Sequence, residues 1–242
     1  MELLWHGFKM DEFTFEGHTA RLVYPQGNSN GRLALKTIYW DAFPEAIEID
    51  LLKNGFHLCF VQYDHRWGNR EDLDRMARFV RYIAGEHGLS EKVVPVGMSC
   101  GGLNAIMLAG RYPELISCLY LDAPVLNFLS CPACLGKATR PNTEAILEEL
   151  YRAIGLDNFA QLLAYRDMPL DYIPKLVENK IPAVIVAGLA DHLVPYEENA
   201  LYLQKAYEDA GIDYLCQLKP GCDHHPHGLP DNSEVLKFIL NH

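Results

Sequence analysis

The sequence predicts an α/β fold in which a mostly parallel sheet is covered by helices on both faces. Apolar segments of strand length alternate with segments of helical periodicity along most of the chain, an alternation typical of parallel sheets. The predicted strands are apolar on both faces, as in VVPV at 93–96, which indicates that helices cover both sides. The chain has 242 residues, a length that suits one large domain or one domain with an insertion.

The individual elements follow from local patterns. Residues 12–23 alternate loosely around a glycine and are expected to form a hairpin or two short strands. Residues 71–87 have one apolar face and precede Gly88, a residue type that often ends helices. The remaining predicted strands are 33–39, 56–63, 93–96, 116–121, 183–187 and 214–218, and the remaining predicted helices are 43–54, 103–111, 197–210 and 234–240.

The alternation stops between residues 122 and 181. This stretch contains CPACLGKATRPN and then two helical patterns, TEAILEELYRAIG and NFAQLLAYR. We therefore predict an α/β core formed by residues 1–121 and 182–242, with a mainly helical cap insertion at 122–181. Ligands of open α/β sheets bind at the carboxyl edge of the strands, so we expect the insertion to cover the active site.

Composition and charge exclude several classes of partner. The net charge of −11 and the pI near 5.3 argue against binding of nucleic acid through a basic surface. No apolar run approaches the roughly 20 residues that span a bilayer, and the N-terminus MELLWHGFKMDEF lacks the features of a signal peptide. Seven cysteines in mostly apolar segments fit reduced thiols. We therefore expect a cytoplasmic protein without a membrane partner, and the sequence leaves the oligomeric state open.

The segment VPVGMSCGGLNAI, residues 94–106, surrounds Ser99 with glycines. Gly97, Ser99 and Gly101 match the pattern G-x-S-x-G, with an apolar strand before it and a helix after it. This context predicts a nucleophile elbow, in which a tight turn presents the serine beside main-chain N–H groups that can hold an oxyanion. The alternative is a glycine-rich turn with only a structural role.

A serine nucleophile needs a base and an acid that orients the base. The elbow predicts the order serine, acid, histidine. Asp191 directly follows the strand AVIVA and is the preferred acid, unless it serves only as a turn or helix-capping residue. Asp122, at the end of LYLD, is the alternative for orienting the histidine, although a turn beside the cap suits it better.

The base is expected after the last strand, where LKPGCDHHPHGLPD contains His224, His225 and His227. The same cluster could instead hold a metal ion, together with Cys222 and Asp223 or with the pair Cys131 and Cys134. The chain has one C-x-x-C motif without a second pair, and the α/β pattern already accounts for a histidine here. We therefore predict no metal.

Three motifs in this order, GMSCGG, GLADHLVP and PGCDHHPHGL, resemble those of the α/β-hydrolase superfamily, and the resemblance covers nearly the whole chain. It implies a mostly parallel eight-stranded sheet, a Ser-acid-His triad and no cofactor. Laid on the histidine turn of that superfamily, the sequence puts His224 at the base position. If the loop is extended, His225 is expected to point the other way, because neighbouring side chains alternate sides. His227 lies beyond Pro226 and is expected to face the pocket, and both are candidates for a substrate contact or a support. The fuller pattern, with DAFPE, LYLDAPVLN and HHPHGL, resembles a bacterial esterase-like subgroup.

One departure from the superfamily concerns the oxyanion hole. The familiar HG dipeptide after the third strand is absent, and TIYWDAFPE takes its place. The first oxyanion donor is expected to be the N–H of Cys100. For the second we choose the N–H of Tyr39, with Trp40 as the next choice.

The predicted function is that of a carboxylesterase with Ser99, Asp191 and His224 as its triad, acting on a small or medium acyl ester through an acyl-enzyme. A carbohydrate deacetylase is an alternative if aromatic residues line a sugar cleft, the candidates being Tyr24, Tyr63, Trp67, Tyr165 and Tyr172. A peptidase or an acyltransferase on the same fold is a further alternative. A non-catalytic hydrolase-like binding module is the alternative outside the enzymes. The predicted partner is a small-molecule ester, and no cofactor is expected.

Overall fold

The computed structural model describes residues 3–41 and 46–242. Its described strands form one sheet in the order β1-β2-β3-β5-β4-β6-β7-β8-β9. The strands are β1 Leu4–Trp5, β2 Phe8–Phe15, β3 His18–Val23, β4 Leu33–Lys36, β5 His57–Val61, β6 Val93–Met98, β7 Leu119–Asp122, β8 Ala183–Gly188 and β9 Tyr214–Lys219. The first three strands and the β3–β5 pair are antiparallel, and every pair from β5 to β9 is parallel.

The sheet confirms the predicted α/β class and contains one strand more than the resemblance implied. The additional strand is β1, which pairs Leu4 with Lys9 and Trp5 with Phe8. Two residues are too few for a periodic pattern, which is why the sequence did not reveal this strand.

The described helices cover the sheet and connect its parallel strands. They are α1 Ala46–Lys53, α2 Arg70–His87, α3 Cys100–Arg111, α4 Thr143–Ile154, α5 Phe159–Ala164, α6 Ile173–Glu178, α7 Ala200–Ala210 and α8 Ser233–Asn241. The start of the helix predicted at 43–54 lies outside the described residues as far as residue 45. Helix α3 begins three residues earlier than predicted. The first turn was not predicted because it contains Gly101 and Gly102, and glycine has a low helix propensity.

Side chains of the parallel strands alternate between two apolar cores. On β4, Leu33 and Leu35 belong to one core and Ala34 to the other. Val93 and Val94 on β6 divide in the same way. The sheet is therefore buried on both faces, as the continuous apolar strands predicted.

The segment between β7 and β8 carries α4, α5 and α6. Its apolar side chains Phe128, Leu150 and Leu176 are fully buried in the same core as Leu103 of α3. The assignment of residues 122–181 to a separate cap stays a prediction. None of the helices in the described ranges has both the length and the hydropathy that a bilayer crossing requires.

Candidate active site

Ser99 occupies the turn between β6 and α3 in a backbone conformation that side-chain-bearing residues rarely adopt. Its φ and ψ are 55° and −120°, and such strain persists only where the surroundings hold it. The Ser99 N–H donates to the carbonyl of Asp122 at 2.9 Å, and the Ser99 carbonyl accepts from Gly102 at 3.0 Å and Val125 at 3.1 Å. The main chain of Ser99 is therefore fixed on both sides.

The glycines around Ser99 are required by close backbone packing. A Cβ atom at Gly97 would lie 2.6 Å from the carbonyl carbon of Gly101 and 2.7 Å from the nitrogen of Gly102. A Cβ atom at Gly102 would lie 2.8 Å from the Cα atom of Pro124. The strand and the helix approach too closely for side chains, which answers why the serine is flanked by glycines.

Thr37 supports the turn from the end of β4, and the sequence analysis did not identify it. Its buried hydroxyl lies 2.9 Å from the carbonyl of Gly101 and 3.2 Å from the carbonyl of Val96. The hydroxyl thereby connects three elements around Ser99. The available signal was a polar residue inside the segment predicted as a strand at 33–39.

His224 connects Ser99 with Asp191. Its Nε2 atom lies 3.1 Å from Ser99 Oγ, and its Nδ1 atom lies 2.7 Å from Asp191 Oδ2. All three residues are buried. The other oxygen of Asp191 accepts from the N–H groups of Leu193 at 2.9 Å and Val194 at 2.8 Å. The carboxylate thus assigns the ring proton to Nδ1, which directs the Nε2 lone pair at the serine hydroxyl.

Gly188, the last residue of β8, allows the loops that carry the acid and the histidine to meet. A Cβ atom there would lie 2.6 Å from the carbonyl oxygen of Asp223. Just beyond, the N–H of Ala190 donates to the carbonyl of Cys222 at 2.9 Å. This glycine could not be identified from local sequence patterns, because the close approach joins segments more than thirty residues apart.

Asp223 holds the histidine loop from the solvent side. Its carboxylate accepts from the N–H of His224 at 2.7 Å and lies 2.7 Å from the ring of His192. Partial burial acts to raise the pKa of Asp223, but hydrogen bonds from the N–H groups of His224 and His192 outweigh it and keep that pKa below its usual range. Asp223 therefore stays charged and anchors the loop.

Asp122 orients His227 rather than His224, contrary to the alternative considered for it. The Nδ1 atom of His227 lies 3.2 Å from Asp122 Oδ1, and neither side chain is exposed. The second carboxylate oxygen accepts from the N–H of Gly228, and Lys219 Nζ lies 3.9 Å from the first. Asp122 and His227 therefore form a second Asp–His pair next to the pair of Asp191 and His224.

The three histidines of the loop form a compact cluster. The ring of His224 lies 5.0 Å from that of His225 and 4.8 Å from that of His227, and the last two are 5.0 Å apart. The loop bends at His224 and Pro226, so the condition of an extended loop, on which the expectation for His225 depended, is not met. Across residues 3–41 and 46–242, these three form the one group of histidine, cysteine or acidic residues placed to hold a metal ion.

The two expected oxyanion donors lie at chain positions suited to that role. Cys100 is the first residue of α3, so its N–H has no acceptor within the helix. Tyr39 follows β4 with a φ of 60°, a strained conformation that often marks functional loops. Trp40 is instead a core residue, because its buried ring packs 5.2 Å from those of Trp5 and Phe60.

The thiols near the serine are poorly suited to react. Burial raises the pKa of Cys100, although the Arg66 guanidinium and a hydrogen bond from Tyr39 oppose it. Burial also raises the pKa of Cys131 to about 12. Both thiols therefore stay protonated at neutral pH, and a protonated thiol is a weak nucleophile.

The aromatic residues considered for a sugar cleft lie in different parts of the molecule. Trp67 is fully buried, and the ring of Tyr24, which directly follows β3, lies 5.5 Å from that of His57 at the start of β5. Tyr165 and Tyr172 line a separate cavity of about 500 Å³ whose lining does not include Ser99. The ring of Tyr63 lies 6.5 Å from that of Tyr39, the expected second oxyanion donor. The deacetylase alternative therefore stays a prediction.

A sequence profile of the α/β hydrolase fold matches residues 55–167. Similar solved structures include a puromycin-hydrolyzing peptidase of Mycobacterium tuberculosis, with 13% identity and a TM-score of 0.71 over 96% of this chain and 38% of that one. Dipeptidyl peptidase 4 of Porphyromonas gingivalis has 15% identity and a TM-score of 0.69 over 97% and 35%. Acylaminoacyl peptidase of Pyrococcus horikoshii has 14% identity and a TM-score of 0.68 over 90% and 38%.

These similarities establish the fold. The chain spans little more than a third of the length of each of these structures. No sequence match is found among curated proteins.

Proposed function

We propose that this chain, which has the α/β-hydrolase fold, is a serine hydrolase that cleaves small or medium acyl esters through an acyl-enzyme. The observation that carries the proposal is the position of His224, with Nε2 3.1 Å from Ser99 Oγ and Nδ1 2.7 Å from Asp191 Oδ2. A serine hydroxyl is a weak nucleophile unless a base lies within hydrogen-bond reach and a third group orients that base. In this proposal Ser99 is the nucleophile, His224 is the base and Asp191 is the group that orients it.

The chemistry proceeds in two halves. Ser99 Oγ attacks the ester carbonyl while its proton moves to His224 Nε2, and Asp191 stabilises the resulting imidazolium. The carbonyl oxygen becomes an oxyanion that accepts hydrogen bonds from the N–H groups of Cys100 and Tyr39. Collapse breaks the bond to the alcohol, which leaves with the proton from His224, and the acyl group stays on Ser99.

Water completes the cycle. His224 takes a proton from the water as the water oxygen attacks the acyl carbonyl, and the second tetrahedral intermediate collapses. The carboxylic acid leaves, and the proton on His224 returns to Ser99 Oγ. No redox partner or metal takes part in these steps.

Amide hydrolysis is the second candidate. The similar structures are named as peptidases, including a puromycin-hydrolyzing enzyme and an acylaminoacyl peptidase. The same three side chains serve amide cleavage, in which His224 donates its proton to a leaving amine instead of an alcohol. We therefore propose peptidase activity as the second candidate, which depends on the same three residues.

A matched substrate panel tests both candidates. The p-nitrophenyl esters of acyl groups of increasing length are compared with p-nitroanilides that carry the same acyl groups, and an active-site fluorophosphonate reports on the nucleophile. Preference for the esters supports the carboxylesterase, and preference for the anilides supports the peptidase. Ser99→Ala is the control and should abolish both turnover and labelling. If the unaltered protein shows neither turnover nor labelling, the protein is a binding module and the proposal fails.

A further inference from the structure

The histidine cluster described above has features of a metal site that the proposed ester chemistry does not use. Its three imidazoles lie within 5.0 Å of one another, and one ligand atom from each lies within 4.8 Å of the others. His224 and His227 are buried, whereas His225 is exposed. Solvent can therefore reach the cluster from the side on which His225 lies.

Two of the rings have the supporting contacts that zinc-binding histidines typically have. His224 Nδ1 lies 2.7 Å from Asp191 Oδ2, and His227 Nδ1 lies 3.2 Å from Asp122 Oδ1. A carboxylate that accepts from Nδ1 fixes the tautomer and makes Nε2 the lone-pair donor. Each buried ring is therefore already oriented as a metal ligand, with its carboxylate in the supporting position.

The kind of metal follows from the donors. Three imidazole nitrogens suit Zn²⁺, whereas Mg²⁺ and Ca²⁺ prefer oxygen ligands. Two nitrogens bound to one zinc ion lie roughly 3.4 Å apart, because Zn–N distances are about 2.1 Å and the geometry is tetrahedral. The ligand atoms here lie within 4.8 Å of one another, so the rings must move closer together to complete the site, and His225 is the exposed ring of the three.

We infer that His224, His225 and His227 bind one Zn²⁺ ion that reversibly inhibits the enzyme. The inhibition rests on the proposed function, because the zinc ion would occupy the Nε2 lone pair that must accept the proton of Ser99. Zinc binding itself does not depend on catalysis. The site is thus inhibitory, and activity requires that it be free of metal.

The test separates zinc binding from its effect on catalysis. Binding of Zn²⁺ is measured by isothermal titration calorimetry on the full chain, and Co²⁺ absorption spectra report the ligand number. The variants are His225→Ala, which removes the exposed ligand, and His227→Gln. The matched control is His87→Ala, which removes an exposed histidine at the end of α2. Ser99→Ala provides a catalytically dead protein that keeps all three ligands.

We expect one zinc ion per chain in wild type, His87→Ala and Ser99→Ala, and binding at least about tenfold weaker in His225→Ala and His227→Gln. The rate of hydrolysis is measured relative to the zinc-free rate of each variant. It should fall on addition of Zn²⁺ and recover with EDTA, and Mg²⁺ should not change it. Equal zinc affinity in His225→Ala and His87→Ala would overturn the inference, as would the absence of binding to wild type. If Ser99→Ala binds zinc but wild type hydrolyses no ester or amide, the metal site stands and the proposed function fails.

Discussion

Two Asp–His pairs lie side by side in this molecule. They differ in whether the ring nitrogen that does not contact the carboxylate lies beside Ser99. In the pair Asp191–His224, the second ring nitrogen lies 3.1 Å from Ser99 Oγ. In the pair Asp122–His227, both side chains are fully buried and the carboxylate also accepts from the N–H of Gly228. The chemistry of the two pairs is the same. Their position relative to the serine decides which of them can act as a base.

The two carboxylates also differ in how they are held. Asp191 is fixed by main-chain N–H groups of its own loop, from Leu193 and Val194. Asp122 instead lies at the end of β7 and holds residues of the distant histidine loop. The first pair therefore suits proton transfer, and the second suits support of the loop that carries the first. The following predictions separate these two roles.

The largest difference is expected between the two histidines. His224→Ala should lower kcat by a factor on the order of 10⁶ and be no worse when combined with Ser99→Ala, because triad residues act as a unit. His227→Ala should keep measurable turnover. Ester hydrolysis and circular dichroism are measured on each variant. An active His224→Ala together with a folded but inactive His227→Ala would show that the assigned base is wrong by three residues.

The acids should differ in the same direction but less strongly. Asp191→Asn should lower kcat by about 10⁴, since the imidazole loses the partner that fixes its tautomer. Asp122→Asn should keep measurable turnover but lower the free energy of unfolding by about 2 kcal/mol, because a buried hydrogen-bonding partner is lost. Kinetics and urea unfolding are measured on both variants. Loss of activity in Asp122→Asn without loss of stability would contradict this division of roles.

The contact between the loop of Asp191 and the loop of His224 can be strained by a substitution at Gly188, which changes no residue of the two Asp–His pairs. Gly188→Ala places a methyl group against the carbonyl of Asp223 and should lower kcat at least about 10²-fold, since small displacements of catalytic groups are costly. Gly85→Ala is the control, because a Cβ atom there meets nothing within 4 Å. Its activity should match wild type. Equal activity of the two variants would show that the loop contact at Gly188 does not position His224.

The smallest effect is expected from the cysteines and from chelation. The variant with Cys131→Ser and Cys134→Ser should keep its activity, and EDTA should not inhibit the purified protein, because neither Asp–His pair needs a metal or a thiol. Turnover before and after dialysis against EDTA is the measurement. Activity lost on chelation and restored by zinc would mean that the histidine cluster needs its metal, contrary to the prediction of a metal-free enzyme.

Local patterns in the sequence predicted the fold and selected Ser99 and Asp191, whereas the choice of His224 among three histidines came from the resemblance to the α/β-hydrolase superfamily. The G-x-S-x-G motif between an apolar strand and a helix selected Ser99, and the strand that precedes Asp191 placed that residue at the carboxyl edge. Gly97 and Gly102 could be understood in advance as a tight turn. The catalytic roles of these residues stay predictions.

Contacts between distant segments were not predictable in the same way. The hydroxyl of Thr37 meets the carbonyl of Gly101, and the carbonyl of Asp223 meets Gly188. No local periodicity encodes such pairs, because each depends on how two loops meet at the sheet edge. The orientation of His225 could not be predicted for a related reason, since alternation along an extended chain does not apply to a loop that bends.

One residue joins the serine turn to the histidine loop. The carbonyl of Asp122 accepts the Ser99 N–H at 2.9 Å, and its carboxylate accepts the N–H of Gly228. A fluctuation that frees Asp122 therefore loosens both loops, whereas neither loop can detach from β7 without disturbing this residue. We expect the amide hydrogens of Ser99 and Gly228 to exchange with deuterium at a common rate, as members of one cooperative unit. The serine and its base should accordingly become disordered in a single opening event.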